Sequence, residues 1–227
     1  MRWLRLFCVI APLAAGAAEL PPDAQLAAQG WRVLGFESKP HNRYRAIPGG
    51  VEVESRSSVS LLYRAVAPDL ARTPCLAWRW RVDRAMPPTD LSRKGGDDRP
   101  VALYVSFPYV AAEASFAQKL QRVLVELLHG EDAPGQLLVY VWGGTAAAGS
   151  VLSSPYLGKS GALIVLRAGE APLGEWLPER IDLGRDYARV FGRAARTPSQ
   201  LAIGADSDDT ETASLAQVAD IRFEACG

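Results

Sequence analysis

The sequence has few of the residues from which enzymes build common nucleophilic or metal sites. It contains two histidines and three cysteines in 227 residues. Gly158-Lys159-Ser160 resembles the end of a phosphate-binding loop, but Ser153 stands where that motif requires its first glycine. The order of residues around Ser160 also differs from the G-x-S-x-G elbow of serine hydrolases. The sequence therefore favours neither a nucleotide-binding loop nor a histidine-assisted nucleophile.

An excess of charge and a long apolar stretch are also lacking. The chain has 25 Lys and Arg residues against 25 Asp and Glu residues, and without a basic excess it has no electrostatic footprint for nucleic acid. The N-terminal apolar run from Leu6 to Leu13 is too short to span a bilayer, which requires about 20 residues. We therefore expect no nucleic-acid partner and no membrane-spanning segment.

The first residues of the chain have the features of a secretory signal peptide. Arg2 and Arg5 precede the apolar run, and small residues follow it. We predict a signal peptide at residues 1–18, a single β-sandwich domain at residues 19–227, and a soluble mature protein that is periplasmic or secreted. Cleavage removes Arg2 and Arg5 and leaves a small acidic excess.

Two cysteines remain in the mature chain, Cys75 and Cys226. Each borders a predicted strand. An exported protein meets an oxidising environment, which favours a disulfide between them. Two buried thiols are the alternative.

The stretch from Cys75 to Phe107 has the clearest strand pattern. In its first limb Trp78 and Trp80 alternate with Arg79 and Arg81, as in a strand that buries one face. We therefore assign the two tryptophans to the core. The second limb alternates in the same way. We predict that the limbs are core strands of a hairpin, whose long charged connection is either functional or mobile.

Shorter patterns predict the rest of the fold. Apolar residues at helical spacing predict an amphipathic helix between Glu113 and Gly130. We expect a loop at His41 to Arg45 and a short strand at Arg189 to Phe191. Many short strands with one flanking helix predict an all-β sandwich. The other predicted strands are Trp31 to Phe36, Val51 to Ser55, Val59 to Arg64, Leu137 to Trp142, Ala162 to Arg167, Leu201 to Ala205 and Ala219 to Ala225.

Two acidic segments could carry chemistry. Asp97-Asp98 ends the long connection, and Asp206, Asp208, Asp209 and Glu211 follow one another without a basic residue between them. Such carboxylates repel one another unless water, a cation or an arginine neutralises them. Ca²⁺ accepts oxygen ligands of this kind, so Asp206, Asp208 and Asp209 are candidate metal ligands. A solvated acidic turn is the alternative, because the glycine of the calcium-loop consensus is absent.

The same acidic segments offer an enzymatic alternative. Glycoside hydrolysis requires two carboxyl groups about 5–10 Å apart. Asp97 and Asp98 are therefore alternative catalytic residues, acting with the second acidic segment. The sequence does not show whether the two segments share one end of the sandwich, and we expect no catalytic residue if they do not.

Aromatic side chains on a solvated sheet face would stack on sugar rings, with charged groups binding the hydroxyls. Tyr104 and Trp142 lie on strands whose alternate positions, Leu103, Val105, Val139 and Val141, are more apolar. We therefore expect the two rings to lie on the opposite, solvated face and to form part of a binding groove; burial in the core is the alternative. Tyr140 and Tyr156 are further candidates. The predicted ligand-binding residues are Tyr104, Trp142, Asp97, Asp98, Arg79 and Arg81.

Several segments together resemble an exported bacterial family, domain of unknown function 3047. This resemblance implies a jelly-roll-like β-sandwich similar to carbohydrate-binding modules, without implying a particular reaction. The segments are L-A-W-R-W-R-V-D from Leu76, G-D-D-R-P-V-A-L-Y-V-S-F from Gly96, V-Y-V-W from Val139, S-P-Y from Ser154, E-W-L-P-E-R-I-D-L-G-R-D-Y from Glu175, A-D-S-D-D-T from Ala205 and A-D-I-R-F from Ala219.

We expect a non-enzymatic binding protein of the cell envelope whose ligand is a saccharide or glycan. A hydrolase of envelope polymers and a structural or assembly protein are the alternatives. Paired carboxylates in one cleft favour the hydrolase, and an exposed apolar patch favours a protein partner. Ca²⁺ is the one cofactor that the sequence suggests.

Overall fold

The described residues, 19–20, 22–109 and 135–227, form two facing β-sheets in a computed structural model of the chain. The prediction of an all-β, jelly-roll-like sandwich is confirmed. The predicted signal peptide, residues 1–18, and the predicted helix between Glu113 and Gly130 lie outside the described residues. Among the residues described, no helix combines the length and the hydrophobicity that a bilayer crossing requires.

The strands belong to one sheet of eight and one of five. In chain order the elements are β1 (Glu19–Leu20), α1 (Ala24–Ala28), β2 (Arg32–Gly35), β3 (Arg43–Ile47), β4 (Gly50–Arg56), β5 (Val59–Ala65), β6 (Cys75–Arg84), β7 (Arg99–Phe107), β8 (Gln136–Trp142), β9 (Val151–Ser154), β10 (Gly158–Arg167), β11 (Leu177–Asp182), α2 (Leu183–Phe191), β12 (Gln200–Asp206) and β13 (Ala213–Glu224). The larger sheet has the order β1-β2-β5-β12-β7-β8-β10-β9, and the smaller sheet has the order β11-β6-β13-β4-β3. The pairing of β8 with β10 is parallel.

Aromatic rings fill the core between the sheets. Trp78 and Trp80 on β6 are buried, as their alternation predicts. Trp80 packs edge-on against Trp142 of the opposite sheet with 5.7 Å between ring centroids, and Trp78 lies 5.7 Å from Tyr140. Because each buried aromatic removes a large apolar area from water, these contacts help to hold the two sheets together.

The limbs of the stretch from Cys75 to Phe107 are strands, but the prediction that they form a hairpin is wrong. β6 lies in the five-stranded sheet between β11 and β13, whereas β7 lies in the eight-stranded sheet between β12 and β8. The connection therefore crosses from one sheet to the other. An alternating pattern shows that one face of a strand is buried, and it does not specify the neighbouring strand.

Two local predictions are also wrong. The segment His41 to Arg45, expected to be a loop, contains the start of β3, and the buried Tyr44 there donates a hydrogen bond to the Ser60 carbonyl at 2.7 Å. Arg189 to Phe191, expected to be a strand, ends α2 instead. The side chain of Asp182 caps the start of this helix and Gly192, with φ of 70°, ends it.

A disulfide joins Cys75 and Cys226, as predicted, with 5.3 Å between their Cα atoms. The pairing of β6 with β13 explains the contact, because Glu224 lies directly opposite Cys75. The bond fastens the end of the chain to a central strand of the smaller sheet.

Candidate functional site

The pairing of β7 with β12 brings the two acidic segments together. These strands are antiparallel, with Asp206 opposite Arg99 next to a β-bulge. The residues that precede β7 therefore meet the loop that follows β12, at one end of the sandwich. We call this group the acidic end; its members are Asp97, Asp98, Arg99, Asp206, Asp208 and Asp209.

Asp98 is the most deeply buried carboxylate of the acidic end, with 1% of its surface exposed. Its Oδ2 accepts hydrogen bonds from the Thr210 backbone N–H at 2.8 Å and from the Thr210 hydroxyl at 2.5 Å. Its Oδ1 is also buried and has no hydrogen-bond partner among the described residues. One oxygen is thus fixed by the second acidic segment, and the other remains available to a ligand.

Arg99 is the buried cation of the group. Its Nη2 donates to the Tyr104 hydroxyl at 2.6 Å, and its Nη1 lies 3.1 Å from Asp97 Oδ2 and 3.6 Å from Asp206 Oδ2. Burial alone lowers the pKa of this guanidinium, but Tyr104 and the two carboxylates outweigh burial and raise it. Arg99 therefore stays charged and holds one carboxylate from each acidic segment.

The pKa values of Asp206 and Asp208 shift in opposite directions. Burial raises the pKa of Asp206 to about 8, against the opposing effect of Arg99. Burial also acts on Asp208, but hydrogen bonds with Asp206 and Lys39 outweigh it and lower the pKa of this group. Burial and neighbouring carboxylates raise the pKa of the exposed Asp209. Lys39 forms an ion pair with Asp208.

The carboxylates that converge differ by one residue from the predicted metal ligands. One oxygen each of Asp98, Asp208 and Asp209 lies within 4.8 Å of the other two. Asp206, which was expected in this set, is instead directed toward Arg99. The reason is their position: Asp206 is the last residue of β12 and lies opposite Arg99 of β7, whereas Asp208 and Asp209 lie in the loop that follows the strand.

Tyr156 lies at the rim of the acidic end. Its hydroxyl donates to Asp97 Oδ1 at 3.2 Å, and 60% of its surface is exposed. The Lys94 amine lies 5.4 Å from the centroid of the same ring. Tyr156 thus presents an aromatic face to solvent next to a carboxylate that is already ordered.

Tyr104 and Trp142 do not share a solvated face, so that expectation is corrected. Val101 is the residue opposite Trp142 in the pairing of β7 with β8. It lies three positions before Tyr104, so the two rings point to opposite faces of the sheet. Trp142 is 1% exposed in the core, and Tyr104 is 6% exposed in an apolar cluster on the other face, where it contacts Arg99.

Arg79 and Arg81 lie away from the acidic end, on the outer face of the five-stranded sheet. Arg79 forms an ion pair with Asp220 at 2.7 Å and stacks on Trp176 at 4.6 Å from the ring centroid. Arg81 forms an ion pair with Asp83 at 2.5 Å. Of the predicted ligand-binding residues, only Asp97, Asp98 and Tyr104 belong to the acidic end or contact it directly.

Sequence reasoning missed two residues that organise the acidic end, Thr210 and Lys39. Thr210 interrupts the calcium-loop consensus, yet it supplies both donors to Asp98. A hydroxyl within a run of carboxylates was the signal that could have identified it. Lys39 comes from the connection between β2 and β3, far along the chain, and no local pattern links it to Asp208.

Three solved structures are similar to this chain over most of their length, each with a TM-score below 0.5. The alignment with the endoglucanase cel12A from Rhodothermus marinus covers 92% of this chain and 96% of the endoglucanase, with 9% identity and a TM-score of 0.49. The alignment with a family 12 xyloglucanase from Bacillus licheniformis covers 93% of this chain and 97% of the xyloglucanase, with 7% identity and a TM-score of 0.47. The alignment with the xyloglucanase domain of NopAA from Sinorhizobium fredii, in complex with cellobiose, covers 95% of this chain and 100% of that domain, with 6% identity and a TM-score of 0.46.

The sequence itself is matched at the level of a family. No match was found among curated proteins. The profile described as "Protein of unknown function (DUF3047)" matches residues 29–222, in agreement with the resemblance seen in the sequence segments. The chain therefore belongs to the DUF3047 family.

Proposed function

We propose that this protein binds a saccharide or glycan of the cell envelope at the rim of the acidic end, without hydrolysing it. The observation that carries the proposal is the exposed ring of Tyr156 beside the ordered carboxylate of Asp97. The disulfide between Cys75 and Cys226 supports a location in an oxidising compartment.

The rim offers the two kinds of contact that a sugar ring needs. A sugar has a C–H face that packs on an aromatic ring and hydroxyls that donate hydrogen bonds. Tyr156 offers an exposed ring, and ionised carboxylates accept hydrogen bonds only. The exposed Asp209 lies close enough to Tyr156 for its charge to act on the pKa of that hydroxyl, so it can accept a hydrogen bond from a hydroxyl of a sugar that packs on the ring.

The burial of Asp97 and Asp98 favours binding over hydrolysis. A glycosidase presents an acid and a base to the scissile bond. Asp97 and Asp98, the alternative catalytic residues, are 4% and 1% exposed. Asp97 is held by Arg99 and Tyr156, and Asp98 by Thr210. Asp97 and one oxygen of Asp98 are therefore used in internal contacts, and the burial of both residues keeps them from a bond in solvent.

Isothermal titration of the processed, periplasmically expressed protein with a panel of soluble neutral and acidic oligosaccharides tests this proposal. We expect Tyr156→Ala to weaken binding about tenfold, since the stacking surface is lost. Tyr156→Phe keeps the ring and loses only the hydroxyl, so it should retain most of the affinity. Leu173→Ala, which also shortens an exposed apolar side chain, is the matched control and should bind as the wild type does.

Three outcomes oppose the proposal. The absence of heat at millimolar oligosaccharide contradicts saccharide binding. Equal affinity of Tyr156→Ala and the wild type moves the site away from this rim. Release of reducing ends from a bound oligosaccharide, lost in Asp98→Asn, supports the hydrolase instead.

A further inference from the structure

Three carboxylates from two distant segments converge at the acidic end. One oxygen each of Asp98, Asp208 and Asp209 lies within 4.8 Å of the other two. Ca–O distances are about 2.3–2.6 Å, so two oxygens on one Ca²⁺ ion are at most about 5 Å apart. We propose that Asp98, Asp208 and Asp209 bind one Ca²⁺ ion.

The unpartnered oxygen of Asp98 is the observation that distinguishes this group from an ordinary acidic surface. The residue is 1% exposed, and its Oδ1 has no hydrogen-bond partner in the described part of the chain. A buried carboxylate oxygen left in this state is costly, because neither water nor a donor replaces its hydration. The two bonds from Thr210 hold the other oxygen and fix the carboxylate in place, within reach of the Asp208 and Asp209 oxygens. A cation placed among the three removes this cost.

The cationic side chains of the acidic end do not balance its five carboxyl groups. Arg99 is used by Tyr104, Asp97 and Asp206. Arg99 therefore does not neutralise the three carboxylates that converge, Asp98, Asp208 and Asp209.

Lys39 is the internal competitor for the proposed ion. Its amine contacts Asp208 Oδ2, and 45% of its side chain is exposed. One ammonium at one oxygen of Asp208 leaves Asp98 Oδ1 without a partner. The lysine side chain is partly exposed, so its amine can return to water, whereas only 9% of the Asp208 side chain is exposed. A divalent ion that meets all three carboxylates can therefore displace Lys39 to solvent.

The ligand chemistry favours Ca²⁺ over other common ions. All three groups are hard oxygen donors, and the group includes no histidine or cysteine, the ligands that Zn²⁺ prefers. Mg²⁺ demands near-ideal octahedral geometry, whereas Ca²⁺ takes 6–8 ligands in flexible arrangements. The exposed Asp209 leaves one side of the group open to water, which completes such a shell.

Binding would fasten the loop after β12 to the segment before β7. Thr210 and Asp98 already join them by hydrogen bonds, and the ion adds a bridge between Asp98 and the pair Asp208 and Asp209. This inference does not depend on saccharide binding, because the ion alone is the ligand in its test.

Calorimetric titration of the chelator-stripped, processed protein with CaCl₂ alone tests the site. We expect one ion per chain, with an affinity reduced at least about tenfold in Asp209→Asn and in Asp98→Asn. Lys39→Met should bind more tightly than the wild type, because the competitor for Asp208 is removed. Glu211→Gln removes one charge from the same loop outside the group and should bind as the wild type does.

Each outcome decides the proposal. No heat at millimolar Ca²⁺, or equal affinity of Asp98→Asn, Asp209→Asn and the wild type, overturns it. Asp209 is exposed, so its variant keeps the test valid if Asp98→Asn fails to fold. A lower melting temperature of Lys39→Met without any response to Ca²⁺ identifies Lys39 as the sole neutralising group and also overturns the proposal. A parallel titration with MgCl₂ that binds more tightly than CaCl₂ assigns the site to the other ion.

Discussion

The outer face of the five-stranded sheet and the acidic end both contain arginine–carboxylate pairs, but the pairs are exposed on the sheet face and buried at the acidic end. On the sheet face, Arg45 pairs with Glu52 across β3 and β4 at 2.5 Å, and the arginine side chain is 68% exposed. At the acidic end, Arg99 pairs with carboxylates while only 8% of the residue is exposed. Water screens the first kind of pair and not the second.

This difference in burial decides which charges matter for stability and function. An exposed pair contributes little, because water already solvates both groups. A buried charge cannot be separated from its partner without a large cost. Shifted pKa values and an unpartnered carboxylate oxygen are therefore found at the acidic end, where a bound ligand can supply the missing partner.

The largest expected effect comes from removing the buried cation. Arg99→Met leaves Asp97 and Asp206 buried without their partner, so we expect about 3–5 kcal/mol lower free energy of unfolding. Arg45→Met on the sheet face should cost less than about 1 kcal/mol. Urea denaturation of both variants measures the contrast, and similar costs would show that burial does not distinguish the two regions.

Removing the disulfide tests how much this bond contributes to the stability of the smaller sheet, compared with the exposed charge pairs on its surface. Cys226→Ser frees the end of β13 from Cys75, across a sequence separation of 151 residues. We expect a loss of about 2–4 kcal/mol, because the unfolded chain gains freedom. Chemical denaturation with and without a reductant measures it, and a wild type insensitive to reductant contradicts the prediction.

Thr210 offers a finer test of the acidic end. Thr210→Val removes the hydroxyl donor to Asp98 and keeps the backbone N–H donor, so we expect a loss of about 1–3 kcal/mol in calcium-free buffer. Thr210→Ser restores the hydroxyl and should restore most of the stability. Equal unfolding curves for the Val and Ser variants would mean that the hydroxyl bond is not formed in solution.

The smallest effect concerns Asp186, a buried carboxyl group in α2. Burial raises its pKa, although the hydrogen bond from Tyr140 and nearby arginines oppose the rise. A raised pKa in the folded state means that stability is fully present below the pKa of the unfolded chain and declines as the pH rises through the folded pKa. Asp186→Asn should therefore gain stability relative to the wild type between pH 4 and pH 7. Glu175→Gln, at an exposed position, is the control, and a pH-independent difference for Asp186→Asn contradicts the prediction.

The positions of most strands could be predicted because their information is local. Alternation over a few residues identifies β4, β6 and β13, since a strand that buries one face must alternate. β7 was predicted from the same pattern, but all nine of its residues are buried, so it does not leave one face to solvent. The same pattern assigned Trp78 and Trp80 to the core. It failed at Arg189 to Phe191, where three residues are too few to distinguish a strand from the end of a helix.

The candidate site was predictable only in part. Asp97, Asp98 and the acidic loop were identified as charged segments, because clustered acidic residues are apparent from the amino-acid sequence alone. Their convergence was not, since it depends on β7 pairing with β12 across about a hundred residues of sequence. The faces of Tyr104 and Trp142 were missed for a related reason: the register between β7 and β8 decides which rings share a side.

The sequence by itself determined a mostly β protein with a tryptophan core, two cysteines able to form a disulfide and two acidic segments, because each of these follows from local periodicity or from residue identity. The tertiary structure alone decided that β6 and β7 belong to different sheets, that Arg99 faces Asp206, and that Asp98 is buried with one free oxygen. Strand partners and burial depth are set by contacts between residues far apart in the chain. No local pattern encodes such contacts, and they are what turns two acidic segments into one candidate site.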